Sequence, residues 1–227
     1  METNTNAREI FVRNRAKFAG LFERIKAIHH EIVVAGRDVN GHGFDHDVMV
    51  AQYAAMISEN ERVAEMAWVA GLMHSLDRHF PDSFNAKIEE CIVLVGHLFS
   101  VAEIEEIRVA DRVHSRLNDP LDGPVTIALK DADRLANVGA LNIIRGGQHR
   151  PNIPACVMES LGGLNPASTF KRPASCYDAT FYNLEWWDML RSEKARDLGR
   201  ADFEYTRAWQ RSVEAKFAQV GLFPWKT

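Results

Sequence analysis

The stretch Ala67–Asp77, AWVAGLMHSLD, limits the fold more than any other part of the chain. Its apolar residues are mostly small and show no period-two alternation, so it reads as a closely packed helix and not as a strand. It delivers His74 at its end, just ahead of Asp77-Arg78-His79-Phe80-Pro81, and Pro81 marks where the helix has stopped. A buried helix that presents an imidazole at its own end puts a candidate metal ligand on a rigid support. His46 upstream and Asp133 downstream, in KDADRLANVGA, supply possible partners. Read together, His46, His74 and Asp133 make a set of nitrogen and oxygen donors that suits Zn, Mn, Fe or Ni.

Three-and-four spacing of apolar residues recurs on both sides of this stretch. Residues 1–8 read as frayed, and Ala7–Val34 as one amphipathic helix with Phe18, Leu21, Phe22, Ile25, Ile28 and Ile32 on its core face. His29 and His30 are adjacent, so they point about 100° apart and read as packing or surface residues. A glycine-rich loop over 36–43 leads into a helix from about Asp45 to Ile57, which places His46 in a first turn beside an opening for substrate. Asn60 is a natural cap for the helix Glu61–Ser75.

Two further helices are expected over Phe84–Leu98 and Val101–Leu117, with His97 and His114 near their C-terminal ends; His114 is the better placed to face a site. After a turn at 118–124, Val125–Val138 reads as a helix. Asp131 and Asp133 are two apart and point to different sides, so only one should reach a metal. Asp133, Arg134 and Asn137 load one edge of this otherwise apolar segment with polar groups. Gly139–Gly147 continues helically, Gln148–Tyr177 reads as a long loop with Arg150, Lys171 and Arg172, and Asp178–Leu190 and Ser192–Val220 as aromatic-rich helices. Loops of that length are commonly lids or binding loops, with a plain surface excursion as the alternative. The fold class is all-α.

A chain of 227 residues with 46% hydrophobic and 26% charged residues suits one compact domain: a core at about 18–147, the loop 148–177, and C-terminal helices to 220. A net charge of −4 with dispersed basic residues gives no electrostatic footprint for nucleic acid. Cys91, Cys156 and Cys176 form no CxxC pair, which indicates neither a disulfide framework nor a thiolate zinc site. The polar N-terminus and the lack of a long apolar run point to a cytoplasmic protein with no membrane partner. Oligomeric state is open.

The segments GHGFDHDVMVAQYA, AGLMHSLD, IRVADRVHSRL and KDADRLANVGALNIIR, in this order, resemble the HD-domain superfamily of metal-dependent phosphohydrolases, in particular its stand-alone bacterial branch. The tail FYNLEWWDMLRSEKARDLGRADFEYTRAW is similar to that branch's closing helices, so the resemblance runs from about Phe18 to Phe217. It implies a helical bundle around a mono- or dinuclear centre held by His46, His74 and Asp133. It also implies a second-shell or substrate role for His114, with Arg134 and Arg145 as supporting polar residues. Ser75 stands where the family carries its name-giving aspartate, and Leu184 where it carries a lysine.

The expected activity is hydrolysis of a phosphoester or phosphoanhydride, in a nucleotide, with a divalent ion (Mn, Zn, Fe, Ni or Mg). His114 or Asp77 would move protons, and Arg78, Arg134 or Arg145 would neutralise phosphate charge. The alternative is a degenerate HD-domain protein that binds a ligand or partner without turnover, since a neutral serine removes one negative charge and one strong donor. Asp77, or a water, would be the compensating group. An oxygen-activating iron protein is a third reading, and too few histidines and carboxylates cluster to favour it.

Overall fold

A computed structural model describes residues 5–37 and 41–225; Met1–Asn4 of the expected frayed end and residues 38–40 of the expected loop lie outside the described residues. Among the described residues every regular element is helical, as the spacing of apolar residues predicts. No described helix is long and apolar enough to cross a membrane. Contacts cluster the chain into two compact units, residues 1–136 with 191–195, and residues 137–190 with 196–227.

The first unit contains α1 (Thr5–Lys17), α2 (Ala19–Val34), α3 (Phe44–Ile57), α4 (Glu61–Met73), α5 (Leu76–His79), α6 (Phe84–Val95), α7 (Val101–Val113) and α8 (Pro124–Ala136). Its centre is α4, which packs against α3, α8 and α7, while α3 also packs against α8. Ten consecutive residues of α4, Ala64–Met73, are buried, and Trp68 is enclosed completely. Small side chains make this possible. A Cβ at Gly71 would stand 2.5 Å from the Ala51 Cα, so α3 and α4 meet backbone to backbone at that point.

Local signals fix the helix ends. Asn60 caps α4 by accepting the Val63 N–H at 3.0 Å, and Ser100 with Glu103 forms a capping box on α7. The predicted single helix Ala7–Val34 is instead two helices parted at Phe18, whose backbone leaves the helical region (φ −108°, ψ 32°). The reason is packing: Phe18 is buried and stacks on Phe99 with ring centroids 5.9 Å apart. α6 likewise ends at Val95 and passes into a 3₁₀ turn, Gly96–Leu98, where His97 is exposed.

The second unit contains α9 (Gly139–His149), α10 (Cys176–Glu185) and most of α11 (Glu193–Gln219). Helix does not run on from 125 to 147 as predicted. Val138 is extended and Gly139 takes φ +78°, a left-handed conformation that suits glycine. The Gly139 N–H is then satisfied by Thr206 Oγ1 at 3.0 Å. The 148–177 segment carries a 3₁₀ turn at Met158–Ser160 and is tied to the start of α10 by Cys176 N–H to Pro154 O and Tyr177 N–H to Ala155 O, both 2.9 Å. Tyr177 is buried and donates to Glu214 at 2.7 Å, which fastens α10 to α11.

Candidate metal centre

Three helices of the first unit each contribute one donor. The loop before α3 turns through Gly41 (φ +73°), and Gly43 occupies the N-cap, so His46 falls in the first turn. His79 pins this loop by a 2.9 Å contact between its Nε2 and the His42 carbonyl. His74 follows the last residue of α4 as its C-cap. Asp133 lies on α8, on the side opposite Asp131, so the two-residue spacing separates them as expected.

The donor atoms of His46, His74 and Asp133 all lie within 4.8 Å of one another. His46 Nε2 is 3.1 Å from His74 Nε2 and 3.4 Å from Asp133 Oδ1, and His74 Nε2 is 3.8 Å from the same oxygen. Bonds of about 2.1 Å to a divalent ion put neighbouring donors about 3.0 Å apart in octahedral and about 3.4 Å apart in tetrahedral coordination. The 3.1 and 3.4 Å spacings match these values and the 3.8 Å spacing is a few tenths of an ångström wider, so the three donors can meet on one cation. The tautomer of His74 fits as well. Its Nδ1 lies 2.7 Å from the Gly71 carbonyl, which can only accept, so Nδ1 carries the proton and Nε2 offers its lone pair to the cluster. His46 Nδ1 finds no hydrogen-bond partner among the described residues.

Electrostatics keep His74 and Asp133 in ligating form. Burial, helped by the nearby His46 and His114 and opposed by Asp47 and Asp133, pushes His74 down to about 4. Burial would raise the Asp133 carboxyl, but the His46 contact and the charges of His74, His46 and His114 outweigh it and hold the group well below the usual range. Neutral imidazole beside ionised carboxylate is the state that a cation requires.

His114, the C-cap of α7, is buried and adjoins the cluster with its ring centroid 5.5 Å from that of His74. Its Nδ1 is held by the Asp111 carbonyl at 2.8 Å. Asp77 is not among the clustered donors; its Oδ1 is enclosed without a hydrogen bond among the described residues and lies 3.6 Å from Arg78 Nε. Arg78 itself is exposed. Arg134 is buried and contacts Asp131 at 3.3 Å and Asn118 at 2.8 Å. Arg145 belongs to the second unit, where it is buried on α9.

Sequence reasoning missed two carboxylates. Asp47 is fully buried beside His46, with its charge held by His29, which lies 2.7 Å from Oδ2. Burial would raise its carboxyl, but the His29 hydrogen bond and the charges of His74, His29 and His46 lower it. Asp111 is buried with neither carboxylate oxygen hydrogen-bonded among the described residues, and burial beside Asp77 and Asp47 raises it well above the usual range. A signal for Asp47 was available: with Val50, Ala51 and Ala54 it completes the buried stripe of α3, where an acid is out of place.

No protein-family model matches the chain, and no curated protein matches it in sequence. Solved structures do match. An HD-superfamily hydrolase from Bacillus thuringiensis superposes with a TM-score of 0.63 at 16% identity, covering 90% of this chain and 98% of that one. Bacillus subtilis YpgQ in complex with ADP gives 0.62 at 20% identity, covering 88% and 96%. A Lactobacillus plantarum protein gives 0.60 at 16% identity, covering 96% and 100%. The chain thus has an HD-like, all-α fold, and likeness at this identity speaks for the fold alone.

Proposed function

We propose that this protein is a metal-dependent phosphohydrolase that cleaves a phosphoester or phosphoanhydride of a nucleotide. The observation that carries the reading is the convergence of His46, His74 and Asp133 on a volume the size of one divalent cation. A donor set without sulfur suits Mn, Zn, Fe, Ni or Mg. When bound, such an ion supplies a Lewis acid for a phosphoryl oxygen and lowers the pKa of water. The nucleotide class draws support from the ADP in the B. subtilis YpgQ structure.

The chain's own groups divide the remaining work. With Nδ1 committed to the Asp111 carbonyl, His114 has Nε2 left to take or give a proton. Asp77 is the second proton-carrying group, and the exposed Arg78 meets phosphate charge at the surface. Arg134, held by Asp131 and Asn118, adds positive charge beside Asp133.

The test is the metal content of purified protein, measured by elemental mass spectrometry, followed by phosphate release from a nucleotide panel. One equivalent of metal, lost in His46→Ala and His74→Ala, together with metal-dependent phosphate release, is the expected result. The neutral Ser75 favours a second reading, a ligand-binding protein without turnover. Absence of metal even after loading with Mn, Zn, Fe, Ni or Mg would put that reading first.

A further inference from the structure

The three clustered donors carry one negative charge between them, too little to neutralise a divalent ion. A fourth polar atom lies at the same spacing from one of them. Ser75 Oγ is 3.3 Å from His74 Nε2, within the range that separates the other donors. Ser75 is 1% exposed, and its hydroxyl donates a 2.5 Å hydrogen bond to Asp47 Oδ1. With the proton directed at Asp47, the oxygen lone pairs are turned away from that carboxylate. Asp47 in turn has its second oxygen 2.7 Å from His29 Nε2, so it is held from both sides.

Asp47 does not join the cluster directly. Its Oδ1 lies 3.6 Å from His74 Nδ1, the nitrogen turned to the Gly71 carbonyl, and it stands behind Ser75. His46 and Asp47 are neighbours on α3 and so point to different sides of the helix, one to Asp133 and the other to Ser75 and His29.

Resting on the metal-centre reading above, we propose that Ser75 Oγ is the fourth protein donor to the cation and that Asp47 is its positioning residue. The second negative charge of the site is then held one shell outward, on α3, and reaches the ion through the serine hydroxyl. Asp133 and Asp47 together balance a divalent ion, and the Ser75–Asp47–His29 chain fixes the hydroxyl rotor as outer partners fix ligating histidines.

The experiment titrates full-length protein with Co²⁺ and Zn²⁺, reading affinity by chelator competition and geometry by the Co²⁺ absorption spectrum. Four variants are compared with the unaltered chain: Ser75→Ala, Asp47→Asn, Ser75→Asp, and Asp47→Asn with Ser75→Asp. Circular dichroism monitors folding. Asp47→Asn should weaken binding by roughly 10- to 100-fold, the scale for outer-shell partners of a metal site, Ser75→Ala, which removes the donor itself, by at least as much, and each should alter the Co²⁺ spectrum. Ser75→Asp alone sets a second carboxylate against Asp47 and should not improve binding. The double variant should recover it, because the charge returns to the ligand while its rival is neutralised.

Unchanged affinity and spectrum in folded Ser75→Ala would overturn this proposal and leave the three-ligand centre standing. Should Asp47→Asn fail to fold, the Ser75→Ala and double-variant arms still decide. No binding of Co²⁺ or Zn²⁺ by the unaltered chain, and none of Mn²⁺, Fe²⁺, Ni²⁺ or Mg²⁺ in the same competition, would overturn both proposals.

Discussion

α8 carries two polar clusters on opposite sides, and they are built in different ways. On one side Lys130, 1% exposed, meets Asp122 at 2.8 Å; Arg191 reaches the same carboxylate at 2.7 Å; and Asp131 accepts the N–H groups of Arg191 and Ser192 at 2.9 Å while Arg134 approaches it at 3.3 Å. Every charge there has an opposite built into the chain, so the cluster is complete as folded. On the other side Asp133 faces the imidazoles of His46 and His74, 3.4 and 3.8 Å from its Oδ1. His74 presents a lone pair, fixed by its tautomer, and Ser75 spends its proton on Asp47. A cluster made of acceptors is one that an added cation completes. Burial of charge alone does not distinguish a structural cluster from a site; the sign of what converges does.

The sharpest separation of the two clusters comes from His74→Ala. Metal content should fall to near zero and phosphate release by about a thousandfold or more, the scale of a lost Lewis acid worth several kcal/mol. Lys130→Met probes the opposite side. Breaking a buried pair should cost about 3–5 kcal/mol in chemical denaturation, towards the lower figure because Arg191 still holds Asp122, while metal content stays at one equivalent. Loss of metal in that variant would mean that the two sides of α8 are a single cooperative unit.

A third outcome concerns pH in the metal-free protein. His74 titrates at about 4 in the fold against an ordinary 6.5. Above pH 6.5 the ring is neutral in both states and has no effect on stability. Between 6.5 and 4 the unfolded chain takes up a proton that the folded chain refuses, so stability should fall by about 3 kcal/mol over that window. Denaturant melts at stepped pH should record this slope, and His74→Ala should flatten it. Removing the α4 cap with Asn60→Ala should have the smallest effect, a loss of about 1 kcal/mol. Because His74 sits at the other end of α4, metal content should not change.

Much of this arrangement was legible in the chain. Apolar spacing predicts the helices, Asn60 and Pro81 mark ends that the structure keeps, and His46, His74 and Asp133 come together as the donor pattern suggests. What was not legible depends on distant partners. The break at Phe18 exists because a ring 81 residues away, Phe99, receives it. His29 reads in sequence as a packing or surface residue, because its pairing with Asp47 spans 18 positions and that of Asp47 with Ser75 spans 28. Asp47 reads locally as a first-turn acid favoured by the helix dipole, and that local explanation hides its burial.

The contact between Gly71 and Ala51 fixes the frame from which the two histidines reach the site. His46 and His74 project from α3 and α4, and those helices already touch along their backbones, with no side chain between them to yield. The gap between the two imidazoles is therefore set by main-chain geometry. A larger side chain at Gly71 would force the two helices apart and with them the imidazole nitrogens that now lie 3.1 Å from each other. Two residues without bulk thus hold the distance between two ligands without touching either.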